Sequence, residues 1–246
     1  MTFNTQNSKK NETSKNNSIA DVLDASEADI IALQEISASG VAEDIRGRMD
    51  NGSKFASVES EVHTEGSFLN KEVIGTANAL LYNTEVFELV KSGFWQIGTK
   101  DVDGSNYDRF ATYAKLKRIE DGAIILAVAT HFDTSFAVAD AQAEKLLELI
   151  SENFGSIRTV IMGDYNVPSG RSEVHAQFTG SGYADAETNA ETKVNADEYT
   201  FYHSTEGPRV IDYIYIKGFK SSKYEVVIPT SNPSDHRPVF AEIYIG

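Results

Sequence analysis

Four polar side chains interrupt or end strongly hydrophobic stretches of the 246-residue sequence. Glu35 ends "IIALQE", Asp164 and Asn166 follow "TVIMG", and Asp212 lies inside "RVIDYIYI". Taken alone, the Asp-x-Asn pair could be an Asx turn, because both side chains can bond to their own backbone. Asp212 needs a partner, however, since an unpaired buried carboxylate is costly. The joint occurrence of these residues predicts that several strands end at one shared site.

Two histidines and two further polar residues occupy similar positions. His131 ends "LAVATH", Asn4 ends "MTFN", and Asp235 and His236 precede the apolar run "PVF". Carboxylate and carboxamide oxygens without cysteine are hard ligands, which suit Mg²⁺, Mn²⁺ or Ca²⁺ rather than structural zinc. An Asp–His pair can orient an imidazole, and imidazole and carboxamide groups can donate to a phosphoryl group. This set predicts metal-assisted phosphoester hydrolysis.

Short apolar runs predict the strands that must position these side chains. The i, i+3/i+4 spacing of apolar residues predicts a helix over 138–154, and further helices are predicted from Ser18 and over 38–50. The polar residues 6–18 are interpreted as an exposed loop. Because strands outnumber helices and no linker is visible, we expect an α+β fold with packed sheets in one domain, residues 1–246. The predicted strands cover residues 1–5, 28–36, 77–83, 85–98, 109–119, 123–133, 159–164, 199–203, 210–216 and 238–245.

Composition narrows the class of protein. The formal net charge is −15, which disfavours nucleic acid as a partner, because duplex binders need a basic surface. The absence of cysteine excludes disulfides and thiolate metal sites. No apolar run approaches the ~20 residues that span a bilayer, and the sequence shows no signal peptide. We expect a soluble monomer, cytoplasmic or secreted with its signal removed.

Six short motifs occur in the order found in the endonuclease/exonuclease/phosphatase superfamily. They are "MTFN", "DIIALQE", "THFD", "GDYN", "IDYI" and "SDHRPV". They run from Asn4 to Val239, so the sequence resembles this superfamily over nearly its whole length. The resemblance implies a deoxyribonuclease I-like fold, a four-layer α/β/β/α sandwich. In it, two packed mixed or antiparallel sheets are flanked by helices, with the site at one edge.

The resemblance also implies a role for each matched residue, first at the metal. Glu35 would be the main ligand of Mg²⁺, with Mn²⁺ or Ca²⁺ as alternatives, and Asn4 and Asp235 would lie nearby. Asp164 would position or deprotonate the water that attacks phosphorus in line.

A second group of residues would act on the phosphate. Asn166 and His131 would bind it, and His236, oriented by Asp212, would contact the scissile phosphate. Whether Asp164 or His236 takes the proton stays open. Arg109 matches a phosphate-facing residue of many relatives, although an ordinary surface arginine is an equally weighted interpretation.

One position departs from the family pattern. Many relatives carry an acidic residue before the strand that matches "NALLY", where it supports the histidine equivalent to His131. Here the best-matched position is Thr76, and the nearest acid is Glu72. We therefore expect His131 to be less readily protonated, so that it is less available to act as a general acid.

Three functions remain as hypotheses. The first is a phosphodiesterase or phosphatase that acts on a small or lipid-like phosphate. The second is a nuclease with the same chemistry on DNA or RNA, which the acidic charge disfavours. The third is a non-catalytic binding module, which would be expected to have lost Glu35, Asp164 or His236. The loops over 55–71 and 169–197 would select the substrate, so the fold alone does not name it.

Overall fold

The structure is a computed structural model that describes residues 1–67, 70–203, 205 and 207–245. Among the helices of this described part, none is long and apolar enough to cross a membrane. In chain order the elements are β1 (Thr2–Ser8), α1 (Thr13–Ser26), β2 (Ile30–Ile36), α2 (Val41–Arg46), a 3₁₀ turn (Gly52–Lys54), β3 (Phe55–Glu59), β4 (His63–Ser67), β5 (Asn70–Gly75), β6 (Ala77–Asn83), β7 (Phe87–Gly98), β8 (Arg109–Arg118), β9 (Ile124–His131), α3 (Phe136–Phe154), β10 (Arg158–Asp164), α4 (Val174–Gly180), β11 (Ala184–Asp185), β12 (Thr192–Val194), β13 (Phe201–His203), β14 (Gly207–Arg209), β15 (Asp212–Lys217), β16 (Lys220–Val226) and β17 (Val239–Tyr244).

Two large sheets contain most of these strands. Sheet 1 has the order β12-β16-β17-β1-β2-β6-β3, and sheet 2 has the order β11-β15-β10-β9-β8-β7. Most neighbours are antiparallel, but β1 and β2 in sheet 1 and β9 and β10 in sheet 2 run parallel. Because parallel strands end at the same edge, each of these pairs brings two predicted site residues together. Two small hairpins, β4–β5 and β13–β14, complete the set of strands.

Three apolar cores separate four layers. Ile19 and Leu23 of α1 pack on the outer face of sheet 1, and Leu146 of α3 packs on the outer face of sheet 2. Between the sheets lies a third cluster that includes Leu80 and Met162. The side chains of β9 alternate between the inter-sheet core and the helix-facing core, as the period of two requires. The predicted α+β four-layer sandwich is therefore confirmed.

The prediction that residues 6–18 form a loop is wrong at both ends. β1 continues to Ser8, and α1 begins at Thr13 rather than at Ser18. Most of these polar residues are exposed as expected, but Ser8 and Asn16 are buried and bonded to neighbouring elements. For example, the buried Asn16 carboxamide donates to Lys9 O and to Asp44 Oδ2, both at 2.9 Å. Hydrogen bonds of this kind leave no hydrophobic period in the sequence.

Other differences involve short or polar elements. The helix predicted over 38–50 spans only α2, and the loop-rich stretch after β10 contains α4, β11 and β12. Strands β3, β4, β5, β14 and β16 were not predicted. The hairpin β4–β5 is mostly exposed, and β16 buries only some of its side chains. Neither pattern produces a long apolar run.

Gly163 allows the close approach of β10 to β9. It pairs with Thr130 across the two parallel strands. A Cβ atom at this position would lie 2.1 Å from the Thr130 carbonyl oxygen, so any side chain would collide with backbone. The glycine therefore sets the spacing of the two strands that deliver His131 and Asp164.

We expect Gly163→Ala to lower the free energy of unfolding by about 1–3 kcal/mol, because the strands must separate to accept the methyl group. Denaturant unfolding measures this change. Gly180→Ala is the control, since nothing lies within 4 Å of a Cβ built there. Equal stability of the two variants would contradict the steric argument.

Candidate active site

The side chain of Asn4 joins the two sheets at their shared edge. Its Nδ2 donates to Glu35 Oε1 at 3.0 Å and to Asp164 Oδ2 at 2.9 Å. Asn4 and Glu35 belong to sheet 1, whereas Asp164 ends β10 of sheet 2. One carboxamide thus holds together two carboxylates that arrive from different layers.

Irregular backbone at the ends of β1 and β2 aims these side chains. The pairing of β1 with β2 shifts between Asn4 and Ser8, and the pairing of β2 with β6 shifts between Leu33 and Ile36. Glu35 lies in the second irregularity with φ of 60°, which is rare for a residue other than glycine. Bulges beside active sites commonly redirect a side chain in this way.

Asp164, Asn166 and His131 form the sheet 2 side of the site. His131 pairs with Asp164 across β9 and β10, and its Nε2 lies 3.5 Å from Asp164 Oδ2. Asn166 has φ of 53°, and its Nδ2 donates to His131 Nε2 and to Phe132 O, both at 2.9 Å. Its backbone N–H donates to Asp164 Oδ1 at 2.9 Å. Tyr165 points the other way into the helix-facing core, as alternation along the chain predicts.

His236 and Asp212 form a buried pair opposite Asp164. The pairing of β10 with β15 brings Asp212 directly across from Asp164. His236 Nδ1 donates to Asp212 Oδ2 at 2.9 Å. His236 Nε2 lies 3.6 Å from Asp164 Oδ2. Burial disfavours the imidazolium, but the charges of Asp212 and Asp164 outweigh it and raise the pKa of His236. Burial also raises the pKa of Asp164, and the nearby His236 opposes that rise.

His131 differs from His236 in its electrostatics. Burial lowers its pKa well below the usual value, and the positive charges of Arg109 and His236 lower it further. Its Nδ1 is buried and has no hydrogen-bond partner within the described ranges. Neither Thr76 nor another described residue supplies the support found in many relatives. Burial and the contact of Nε2 with the Asn166 NH₂ group therefore favour the neutral imidazole of His131.

Arg109 is buried rather than at the surface. Its side chain is only 8% exposed, and its Nε lies 4.0 Å from Asp133 Oδ2. Burial lowers the pKa of Arg109, whereas the charges of Asp133, Asp164 and Glu35 raise it. Nε has no hydrogen-bond partner in the described structure. A buried guanidinium with a free donor is suited to an anion.

Asp133 and Phe201 take part in the site, although sequence reasoning gave them no role. Asp133 is fully buried and accepts hydrogen bonds from Ser105 and Asn106, which holds the loop before Arg109. Its signal was its place two residues after His131. The Phe201 ring packs on the His236 ring with centroids 4.7 Å apart. Nothing in the sequence pattern distinguishes Phe201 from other strand aromatics.

The possible metal-ligand atoms of the site suit a hard cation. Two groups place their possible ligand atoms within 4.8 Å of one another: Glu35, His131 and Asp164, and Asp164, Asp212 and His236. Burial raises the pKa of Glu35, the Asn4 hydrogen bond opposes this, and the Asp164 charge adds to it. The neutral carboxamide between these carboxylates orients them without neutralising them, so a divalent cation would complete the charge balance.

Asp235 and Asn4, the other two predicted metal ligands, are placed differently relative to these two groups. Asp235 is half-buried and belongs to neither group among the described residues. Asn4 Oδ1 accepts a hydrogen bond from Gln6 N at 2.9 Å. Asn4 thus faces the carboxylates with its NH₂ group, and its oxygen points toward the chain that follows.

Comparison with known proteins identifies the family. Residues 1–236 match the sequence profile described as "Endonuclease/Exonuclease/phosphatase family". The chain belongs to this family, whose members hydrolyse phosphoester bonds, and it is accordingly an enzyme of that class. A search of curated proteins found no significant match.

Solved structures share the fold at low sequence identity. An endonuclease/exonuclease/phosphatase from Bacteroides vulgatus has a TM-score of 0.81 and 22% identity, covering 100% of this chain and 97% of its own. The mannosyl-6-phosphatase Bt3783 of Bacteroides thetaiotaomicron VPI-5482 has a TM-score of 0.82 and 18% identity, covering 99% and 98%. The D. rerio TDP2 complex with a single-strand DNA product has a TM-score of 0.71 and 12% identity, covering 95% and 93%.

We expect Asp212→Asn to lower the pKa of His236 by about 1–3 units, because the pair loses its negative member while the imidazole stays buried. NMR titration of the imidazole in metal-free protein measures the shift. Asp121→Asn, an exposed carboxylate paired with Arg118, is the control and should leave His236 unchanged. An unaltered His236 in Asp212→Asn would show that the pair does not govern its charge.

Proposed function

We propose that this enzyme is a divalent-metal-dependent phosphodiesterase or phosphatase that acts on a small or lipid-like phosphate. The observation that carries the proposal is the contact of Asn4 with both Glu35 and Asp164, opposite the His236–Asp212 pair. Glu35 would then supply a metal ligand, Asp164 a carboxylate that orients the attacking water, and His236 a charged donor. These are the parts required for in-line attack of water on phosphorus.

Glu35 would hold Mg²⁺ as main ligand, with Asn4 and Asp235 contributing, and Mn²⁺ or Ca²⁺ as alternatives. The bound cation would polarise the phosphoryl oxygens and offset their charge. Asn4 would contribute by orienting the carboxylates of Glu35 and Asp164 through its NH₂ group, because the bond from Gln6 N holds its oxygen. Asp235 would have to approach from its half-buried position.

The charge states of the two imidazoles support different roles. The raised pKa of His236 supports an imidazolium that donates to the phosphoryl group as negative charge grows there. Asp164, whose carboxylate is 3.6 Å from His236 Nε2, is then left to orient the water and accept its proton. Asp212 holds the imidazolium in place. We therefore propose Asp164 as the base.

Asn166, His131 and Arg109 would bind the phosphate. A phosphoryl oxygen could replace His131 Nε2 as the acceptor for Asn166 Nδ2. The unpaired Nε of Arg109 would supply a second donor and a positive charge. Arg109 and His131 are buried and Asn166 is half-buried, so the phosphate would have to enter the site to reach all three.

The proposed chemistry predicts that Glu35→Gln and His236→Gln each lower kcat at least about 100-fold. A chelator should abolish activity, and Mg²⁺ or Mn²⁺ should restore it. Glu88→Gln, which removes an exposed carboxylate paired with Lys117, should behave as wild type. Near wild-type turnover in either site variant would mean that the site is assigned wrongly.

A substrate panel separates the proposed function from the nuclease alternative. An aryl phosphomonoester, an aryl phosphodiester and plasmid DNA are compared at low salt and at higher salt. We expect kcat/KM to favour the small substrates, because the net charge of −15 opposes DNA binding. We expect the weak DNA cleavage to fall steeply with salt, because salt competes with the protein's contacts to phosphate. Plasmid nicking that exceeds hydrolysis of both small substrates would establish the nuclease instead.

A further inference from the structure

Lys15 is a half-buried lysine in the first turn of α1, beside the sheet 1 edge of the site. Its Nζ donates to the backbone carbonyl of Gln6 at 2.5 Å. Gln6 lies between Asn4 and Ser8, where the pairing of β1 with β2 is interrupted. Lys15 therefore connects the helix to the part of β1 that directly follows Asn4.

This part of β1 fixes the carboxamide of Asn4. The N–H of Gln6 donates to Asn4 Oδ1 at 2.9 Å, and the Asn4 carbonyl accepts from Ser234 Oγ at 2.7 Å. With its oxygen held by Gln6, the carboxamide must present its NH₂ group to Glu35 and Asp164. A turn of the backbone at Gln6 would release this orientation.

The backbone at this point needs an external contact to keep its shape. Gln6 and Asn7 have φ of 52° and 58°, so two successive residues other than glycine are left-handed. Such conformations persist only where the surroundings determine them. The hydrogen bond from Lys15 acts on the carbonyl of the first of these residues.

The Lys15 ammonium group also lies near the carboxylates of the proposed metal site. Burial lowers the pKa of Lys15, and the carboxylates of Glu35 and Asp235 act in the opposite direction. Lys15 thus belongs electrostatically to the proposed metal site as well as to the helix. Lys10, in the same polar segment, is exposed and offers a matched control.

We propose that Lys15 is a positioning residue, which holds the Gln6 carbonyl so that Asn4 keeps Glu35 and Asp164 arranged for one divalent cation. The inference deepens the proposed function and rests on it for the cation itself. The role of Lys15 is to fix the backbone after Asn4, and its charge is secondary. The charge of Lys15 alone would weaken cation binding by repulsion, whereas its hydrogen bond to the Gln6 carbonyl would strengthen it.

Calorimetric titration with Mn²⁺ tests the inference. Lys15→Met should weaken Mn²⁺ binding about tenfold or more, which is the usual effect of losing a group that orients a metal ligand. Lys15→Arg should restore most of the affinity, and Lys10→Met should bind as wild type. Lys15→Gln, which keeps a polar but shorter side chain, serves as a second variant if Lys15→Met does not fold. Unchanged or tighter Mn²⁺ binding in the folded Lys15 variant overturns the proposal.

A double-mutant cycle tests whether Lys15 acts through Asn4. If it does, Lys15→Met should have little further effect on Mn²⁺ binding in an Asn4→Ala background. Additive losses from the two substitutions would mean that Lys15 acts by another route, and they would overturn the inference.

A measurement on the metal-free protein separates failure of this inference from failure of the proposed function. If wild-type protein binds no Mn²⁺, the proposed function fails. The side-chain NH₂ of Asn4 still reports on Lys15, because a carboxamide held between two carboxylates exchanges its hydrogens slowly. Lys15→Met should speed this exchange about tenfold relative to Lys10→Met. Equal exchange in these two variants overturns the role of Lys15.

Discussion

The organisation of the site depends on one carboxamide shared by two carboxylates from different sheets. Each sheet alone would end in an acidic edge, and the two edges would repel each other when packed. Asn4 offers hydrogen bonds to Glu35 and to Asp164, and hydrogen bonds to charged acceptors contribute about 1.5–3 kcal/mol each. The carboxamide orients both oxygens but carries no charge. The packing of the sheets therefore creates a position at which a hard cation would stabilise the two carboxylates that the amide only orients.

The sequence allowed the layers and most of the site members to be predicted, because both follow from strand periodicity and from residues at strand ends. β8 alternates, and Glu35, His131 and Asp164 lie at or beside the ends of the apolar strands β2, β9 and β10. The local conformations could not be predicted in this way. Strand periodicity describes an extended chain, whereas Asn166 is left-handed and reaches His131 by that turn. Lys15 carries no sequence signal at all, since its role depends on a carbonyl in another element.

The absence of an acidic residue at Thr76 affects the charge of His131. An acid at that position would favour a charged His131, and here His131 Nδ1 is buried without a partner in the described structure. Burial and two neighbouring cations then keep this imidazole neutral, while His236 is held charged by Asp212 and Asp164. Environments that push two histidines apart in pKa commonly divide the acid and base work of a site. Under the proposed function, this difference would leave His236 as the charged donor.

The distribution of charge bears on the size of the substrate. The chain is strongly acidic as a whole, yet Arg109 is buried beside Asp133 with an unpaired donor. Long-range attraction cannot gather a polyanion onto such a molecule, because the net field opposes it. Under the proposed function, a single phosphate would meet the guanidinium, Asn166 and the imidazolium of His236 at short range, where screening by salt is weak. An internal cluster of donors inside an acidic protein thus suits one phosphate on a small molecule better than the repeated phosphates of a polymer.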